Sequence, residues 1–156
     1  MTRMVERTCT LECSADDAWE RVGTSALLHH ITSPLIRFAP KGGPFPKRWR
    51  EGEYRAIMWL FGLLPIGWQA IVISFPEPKD GTRFVRDNGY GPLIQRWDHW
   101  IEITPGDHPS QTRYTDRVAV EAGLLTPIIA GFAQAFYRHR QKRWQALAKT
   151  GVAALR

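Results

Sequence analysis

Apolar residues along this chain recur mostly with a period of two, and only near the end with a helical period. Residues 3–13 alternate: Val5, Cys9, Leu11 and Cys13 take one face, while Glu6, Thr8, Thr10 and Glu12 take the other, which predicts a strand. Arg7 falls on the apolar face, a position expected at a sheet rim. Ser14 then stands as an N-cap with Asp16 and Asp17 in the first turn, so a short helix is expected over Ala15–Val22, ended by Gly23. Thr24 caps a second short helix through His30 or Ile31, and Pro34 stops it. Strands are expected at about 34–39, 53–61, 66–75, 82–90, 94–104 and 112–121, with Gly/Pro-rich breaks between them, such as Gly42-Gly43-Pro44 and Pro65-Ile66-Gly67. Regular spacing and short turns predict an antiparallel meander of hairpins. At Thr126-Pro127 the pattern changes to one long helix, about 126–149, with Thr126 as cap and Pro127 in the first turn. At about 1.5 Å per residue it spans roughly 35 Å, enough to cross the sheet. Its inner stripe reads as Leu125, Ile129, Phe132, Phe136 and Leu147. The fold class expected is therefore α+β, a helix-grip: a curved antiparallel sheet of about seven strands around a long C-terminal helix, with two short helices after the first strand.

Length changes little in this picture: 156 residues make one domain, 1–156, able to bury a core. With 44% apolar residues and seven Trp, disorder is not expected. No long uncharged apolar run predicts a membrane span, and the charged residues from Met1 to Cys13 lack the apolar core of a leader, so the expected location is cytoplasmic. On a strand, Cys9 and Cys13 stand about 13 Å apart, beyond the roughly 7 Å that a disulfide allows. The net charge of +6 lies entirely beyond Glu121, in Arg138, Arg140, Lys142, Arg143, Lys149 and Arg156. Such residues suit a helix C-terminus, or else attract an anionic ligand, a lipid headgroup or nucleic acid.

The order of elements resembles the START-like helix-grip superfamily (SRPBCC), which includes polyketide cyclases, pollen-allergen-like proteins and lipid-transfer domains. Ser14-Ala15-Asp16-Asp17-Ala18-Trp19 resembles its opening helix. Arg83-Phe84-Val85-Arg86-Asp87, Gly91-Pro92, Trp97-Asp98-His99, Thr115-Asp116-Arg117-Val118 and Tyr137-Arg138-His139-Arg140 resemble bacterial ligand-binding members. One departure stands out: Leu93 to Arg96 give one residue more between Gly-Pro and Trp-x-His than the pattern has, which predicts a bulge or shifted register there. The resemblance covers nearly the whole chain and implies a cavity between sheet and last helix.

No phosphate loop, nucleophile elbow or metal-helix motif is present, and adjacent His29 and His30 diverge on a helix, so neither cofactor nor metal is expected. Chemistry must come from polar groups on the inner face. Period two puts Trp97, His99, Ile101 and Ile103 on one face of their strand, and Tyr114, Asp116, Val118 and Val120 on one face of the next. If Ile103 pairs with Thr112, His99 lies across from Asp116; the neighbouring register leaves them diagonal. The pair is then a satisfied core pair, a reader of a polar ligand group, or an acid–base couple. The helical angle brings Arg143 into the Phe132–Phe136 stripe, either snorkelling at the rim or clamping a carboxylate or phenolate. The candidate ligand-binding set is Trp97, His99, Tyr114, Asp116, Phe132, Phe136 and Arg143, with His99 and Asp116 as candidate catalytic residues.

The tract Trp59 to Trp68 is apolar throughout yet contains a predicted turn, so something should cover it: the cavity mouth, a second subunit in a homodimer, or a membrane surface. The function expected is binding of a small, largely apolar, aromatic or lipid-like molecule. The alternatives are a cyclase- or dehydratase-like enzyme using His99 and Asp116, and a peripheral lipid binder using the basic last helix. Nucleic acid is the weakest partner, because few exposed aromatics interleave the basic residues.

Overall fold

The computed structural model describes residues 1–151, and Arg156 lies outside the described residues. Strand β1 (Arg3–Leu11) is followed by α1 (Ala15–Val22) and α2 (Ser25–Thr32). Strands β2 (Ile36–Lys41), β3 (Gly52–Leu60), β4 (Leu64–Ser74), β5 (Arg83–Gly89), β6 (Arg96–Pro105) and β7 (Thr112–Glu121) come next. A 3-10 turn (Gly123–Leu125) leads into α3 (Thr126–Thr150). The seven strands form one antiparallel sheet in the order β1-β7-β6-β5-β4-β3-β2, so the first strand closes onto the last. This is the α+β helix-grip arrangement.

The two short helices start where the polar residues set them. The Ser14 hydroxyl accepts from the Asp17 N–H at 3.1 Å, and the Thr24 hydroxyl from the Leu27 N–H at 3.3 Å. Each bond satisfies a donor that a helix start otherwise leaves free. Thr126 behaves differently from the cap expected of it. It is already helical, and its hydroxyl accepts from the Ala122 N–H at 2.9 Å and donates to the Gly123 carbonyl at 2.7 Å. It therefore ties the 3-10 turn to α3, while Pro127 takes the first turn as predicted.

The buried face of α3 is rotated from the expected stripe. Phe136 and Leu147 are buried as expected, together with Ala130, Ala133, Tyr137, Gln141, Trp144 and Ala148, whereas Leu125 is exposed and Ile129 and Phe132 are only half-buried. Small side chains let the helix approach the sheet closely, and the amides of Gln141 and Gln145 fasten it to β1 by donating to the carbonyls of Arg7 (2.7 Å) and Thr10 (3.2 Å). Arg7 itself is exposed on that edge strand. Helix α3 thus covers the β1–β7 end of the sheet. Its larger apolar residues border the space left over β3 to β6, which α2 closes from the other side.

The hairpin between β5 and β6 absorbs the extra residue seen in the sequence. Pairing runs without a break from Arg83↔Ile103 to Gly89↔Trp97, and the Gly91 N–H donates to the Ile94 carbonyl at 2.8 Å inside the connecting loop. The expected bulge is therefore absent there. A register shift occurs instead between Ile57 and Trp59 on β3.

Candidate functional site

A cavity of about 340 Å³ lies between the sheet, α2 and α3. Most of its wall is apolar, with Leu27, Ile36, Ile71, Val85, Phe132 and Phe136 among the contributors. Five polar side chains interrupt it: Thr24, Gln69, Asp87, His99 and Arg140.

Four of the five gather at one end. Asp87 and His99 are direct partners across β5 and β6. The Asp87 carboxylate and the Gln69 amide flank Gly89, each within 3.4 Å of where a Cβ would stand there. A side chain at position 89 would also meet the Ala70 carbonyl at 2.8 Å, so glycine keeps this corner open. From α3, the Tyr137 ring lies tilted against His99 with ring centroids 4.9 Å apart, and the Arg140 guanidinium lies 5.1 Å from the same Tyr137 ring. The opposite face of β6 sends Asp98 outward to a bidentate pair with Arg86, both bonds at 2.9 Å. This confirms the alternation that turns Trp97 and His99 inward.

Behind His99 stands a closed network. Its Nε2 is 2.8 Å from Asp116 Oδ1, which also accepts from the Tyr114 hydroxyl at 3.1 Å, while Oδ2 accepts from the Gln141 amide at 3.0 Å. The β6–β7 register pairs Ile103 with Tyr114 and His99 with Val118, two residues from the expected register, so the contact is diagonal rather than directly opposite. Burial pushes His99 below the ordinary histidine range, and the Asp116 carboxylate only partly offsets this. Burial works against the Asp116 charge too, but the His99 bond, the Arg140 charge and the Gln141 bond together hold its carboxyl below the usual range. The pair at neutral pH is thus a neutral imidazole donating from Nε2 to an ionised carboxylate.

Of the candidate ligand-binding residues, Trp97, His99, Phe132 and Phe136 line the cavity. Tyr114 and Asp116 do not: they sit on β7, the part of the sheet that α3 covers, and act on the cavity through His99 and Arg140. Arg143 does not line it either. Its Nε donates to the His30 carbonyl at 2.7 Å, tying α3 to the end of α2. The arginine that enters the cavity is Arg140, three positions earlier, with 6% of its surface accessible. Gln69 and Asp87 are the other residues that sequence reasoning passed over. Asp87 shares a strand face with buried Val85 and Gly89, and that alternation is the signal that could have found it. Its carboxylate accepts the Val72 N–H at 2.8 Å, and burial pushes its carboxyl up to about 7. What surface it retains opens into the cavity.

Both cysteine thiols are protonated at neutral pH. Both are free and half-buried, and burial pushes the Cys9 thiol up to about 12 and the Cys13 thiol to about 11. No group of three metal-ligating side chains is assembled among the described residues.

The turn at 59–68 splits in two. Leu60 and Ile66 face the cavity, whereas Phe61, Leu63 and Leu64 are exposed, Leu63 by 83%. At the start of α3, Leu124 (99%) and Ile128 (70%) are exposed as well, and Ile128 also lines the cavity. Because these side chains are already wet, Leu63→Ser with Leu64→Ser is expected to change the unfolding free energy by no more than about 0.5 kcal/mol. Urea denaturation measures it, and a larger loss would mean that the turn packs on its own domain.

The family model described as "Domain of unknown function (DUF8410)" matches residues 9–148. No curated protein matches the sequence. Among solved structures the chain is similar to a START superfamily protein from Mycobacterium smegmatis, at 16% identity and a TM-score of 0.64, covering 94% of this chain and 97% of that one. It is similar to the Zhui aromatase/cyclase from Streptomyces sp. R1128, at 16% identity and a TM-score of 0.63, covering 99% and 98%. It is also similar to Ara h 8.0201, at 9% identity and a TM-score of 0.63, covering 97% and 100%. At these identities the likeness establishes the fold, which is the START-like helix-grip fold. No helix among the described residues is long and apolar enough to cross a membrane.

Proposed function

We propose that this chain, which belongs to the DUF8410 family and has the START-like helix-grip fold, is a single ligand-binding domain that takes a small, largely apolar molecule into the cavity between its sheet and α3. The observation that carries this reading is the cavity itself: about 340 Å³, walled by apolar side chains, with polar groups converging at one end. Such a combination is the default architecture of a small-molecule site. A hydrophobic fluorescent probe, anilinonaphthalene sulfonate, should bind saturably at one per chain. Ile71→Trp, which fills the space from β4, should weaken that binding at least about tenfold, the order expected when about 1.4 kcal/mol of binding is lost. Non-saturable binding, or a filled variant that binds as well as the parent, would overturn the reading.

A second reading, a cyclase- or dehydratase-like enzyme, is favoured by one observation. His99 lines the cavity, is neutral, and is oriented by Asp116 as the base of a dyad is. With Nε2 donating to Asp116, Nδ1 is the nitrogen left to accept a proton. Turnover of a poly-β-ketone substrate, lost in His99→Ala, supports it; absence of turnover in the parent removes it. The basic helix favours a peripheral lipid binder less than the sequence does. Arg140 and Arg143 turn inward, leaving Arg138, Lys142 and Lys149 as the exposed cations of the described helix. The exposed tip at Phe61, Leu63 and Leu64 is the surface on which a second copy or a membrane would be met. Light scattering and vesicle co-sedimentation of the serine variants separate those two.

A further inference from the structure

Arg140 is a nearly enclosed cation at the polar end of an apolar cavity. None of the ion pairs formed among the described residues includes it, and its Nε–H has no hydrogen-bond partner. The two carboxylates whose charge it feels are otherwise engaged. Asp116 accepts from His99, Tyr114 and Gln141, and Asp87 accepts the backbone N–H of Val72. Its close neighbours are the Phe136 and Tyr137 rings, at 5.7 and 5.1 Å from the guanidinium carbon, and, on the side away from the cavity, the Tyr114 hydroxyl and the Asp116 carboxylate that favour its charge. A buried guanidinium left without a fork of acceptors is costly. Nearby, both polar atoms of the Gln69 amide also lack partners. The polar end of the cavity therefore offers donors in excess, centred on a fixed positive charge.

From this we infer that the ligand is an apolar acid: a hydrophobic body ended by a carboxylate, seated with its oxygens on Arg140 beside Asp87 and its body along the Leu27, Ile71 and Phe132 walls. The inference rests on the cavity being a binding site and names what that site selects. Arg140 suits the role by its chemistry, since guanidinium and carboxylate match in a planar, two-bond fork. Asp87 then sets the pH range. The charged or titratable groups around it are His99 on β6, Arg140 and Tyr137 on α3, Asp116 behind His99, and Asp98 on the far face of β6. With Asp87 protonated, its hydroxyl is one more donor to the ligand. With Asp87 ionised, it repels the ligand and competes for Arg140. Because burial places its carboxyl at about 7, the competent form falls from the major to the minor species across neutrality.

Calorimetric titration with decanoate and with 1-decanol tests the inference. Decanoate is expected to bind at least about tenfold more tightly than 1-decanol at pH 6. Its affinity should fall roughly tenfold between pH 6 and pH 8, as the fraction of protonated Asp87 falls. The 1-decanol affinity should not follow that slope, and Asp87→Asn should flatten the decanoate slope. Arg140→Met should erase the preference for decanoate while 1-decanol still binds, and Arg140→Lys should retain part of it even if the methionine variant does not fold. If 1-decanol binds as well as decanoate to the parent protein, or if Arg140→Lys and Asp87→Asn leave preference and slope unchanged, the acid assignment falls while the cavity reading stands. If neither probe binds the parent, both fall.

Discussion

Replacing Asp116 by alanine is expected to lower the unfolding free energy by about 3–5 kcal/mol, the cost typical of removing one partner from a buried charged network. The substitution strands three donors at once: His99 Nε2, the Tyr114 hydroxyl and the Gln141 amide. It also removes the carboxylate that does most to keep Arg140 protonated against its burial. The pH dependence separates this from a simple cavity. Asp116 has a depressed folded-state pKa, so its contribution is present above the unfolded value and is lost only as pH falls below about 4. The difference between parent and variant should therefore stay nearly constant from pH 8 to pH 5 in urea denaturation. A loss under about 1 kcal/mol would mean that the network does not hold in solution. NMR titration of His99 in Asp116→Asn adds a second check. Without the carboxylate that opposes burial, the imidazole should titrate lower still.

Much of the fold was legible in the sequence because local rules and the global arrangement agree. Ser14 and Thr24 announce their helices by capping, and alternation announces seven strands, as where Arg96, Asp98 and Glu102 share the outer face of β6. The β6–β7 register was not legible. It depends on how the chain turns through 106–111, where the Gly106 N–H donates to the Gln111 carbonyl, and the side chains there do not dictate how many residues the turn takes. A shift of two preserves faces, so His99 and Asp116 still met. The orientation of α3 was misread for a different reason. A stripe drawn through the largest apolar residues assumes that large means packed. In a protein with a cavity, the small residues Ala130 and Ala133 mark where helix and sheet touch, while Phe132 marks where they part. The same rotation carried Arg140 inside and Arg143 to the end of α2. A basic residue in a helix is ordinarily a solvent-facing one, and only the neighbourhood of Tyr137 and Trp144 betrays the buried face.

Asp87→Asn is expected to stabilise the protein, and increasingly so as pH rises. The native carboxyl is raised by burial from the usual carboxylate range to about 7, so the folded state binds more protons than the unfolded state between about pH 4 and pH 7. Over that window the group's contribution is lost as pH rises, and above pH 7 the full penalty of an ionised, enclosed carboxylate is carried. Converted at about 1.36 kcal/mol per pH unit, the shift sets a ceiling of about 4 kcal/mol. Water that enters the cavity reduces it. Asparagine keeps an oxygen for the Val72 N–H, so the ladder contact between β4 and β5 survives the change. His99 works in the opposite direction. Its folded-state pKa is depressed, so its contribution is present above about pH 6.5 and is lost on acidification. In the parent protein the two groups oppose one another below about pH 6.5, where the titration of His99 offsets part of the slope set by Asp87. In Asp87→Asn only the histidine remains, and stability should climb with pH through the same range. The difference between the two proteins should grow from at most about 1.5 kcal/mol at pH 5 to on the order of 2–4 kcal/mol at pH 8 in thermal or urea unfolding. A difference independent of pH would show that Asp87 titrates as an ordinary surface carboxylate. A destabilising asparagine at pH 8 would show that its charge is paired in the native state, with Arg140 as the partner within reach. A carboxyl found to lower stability at neutral pH, on the wall of an apolar cavity and across from His99, would have its rationale in the proposed ligand rather than in the fold.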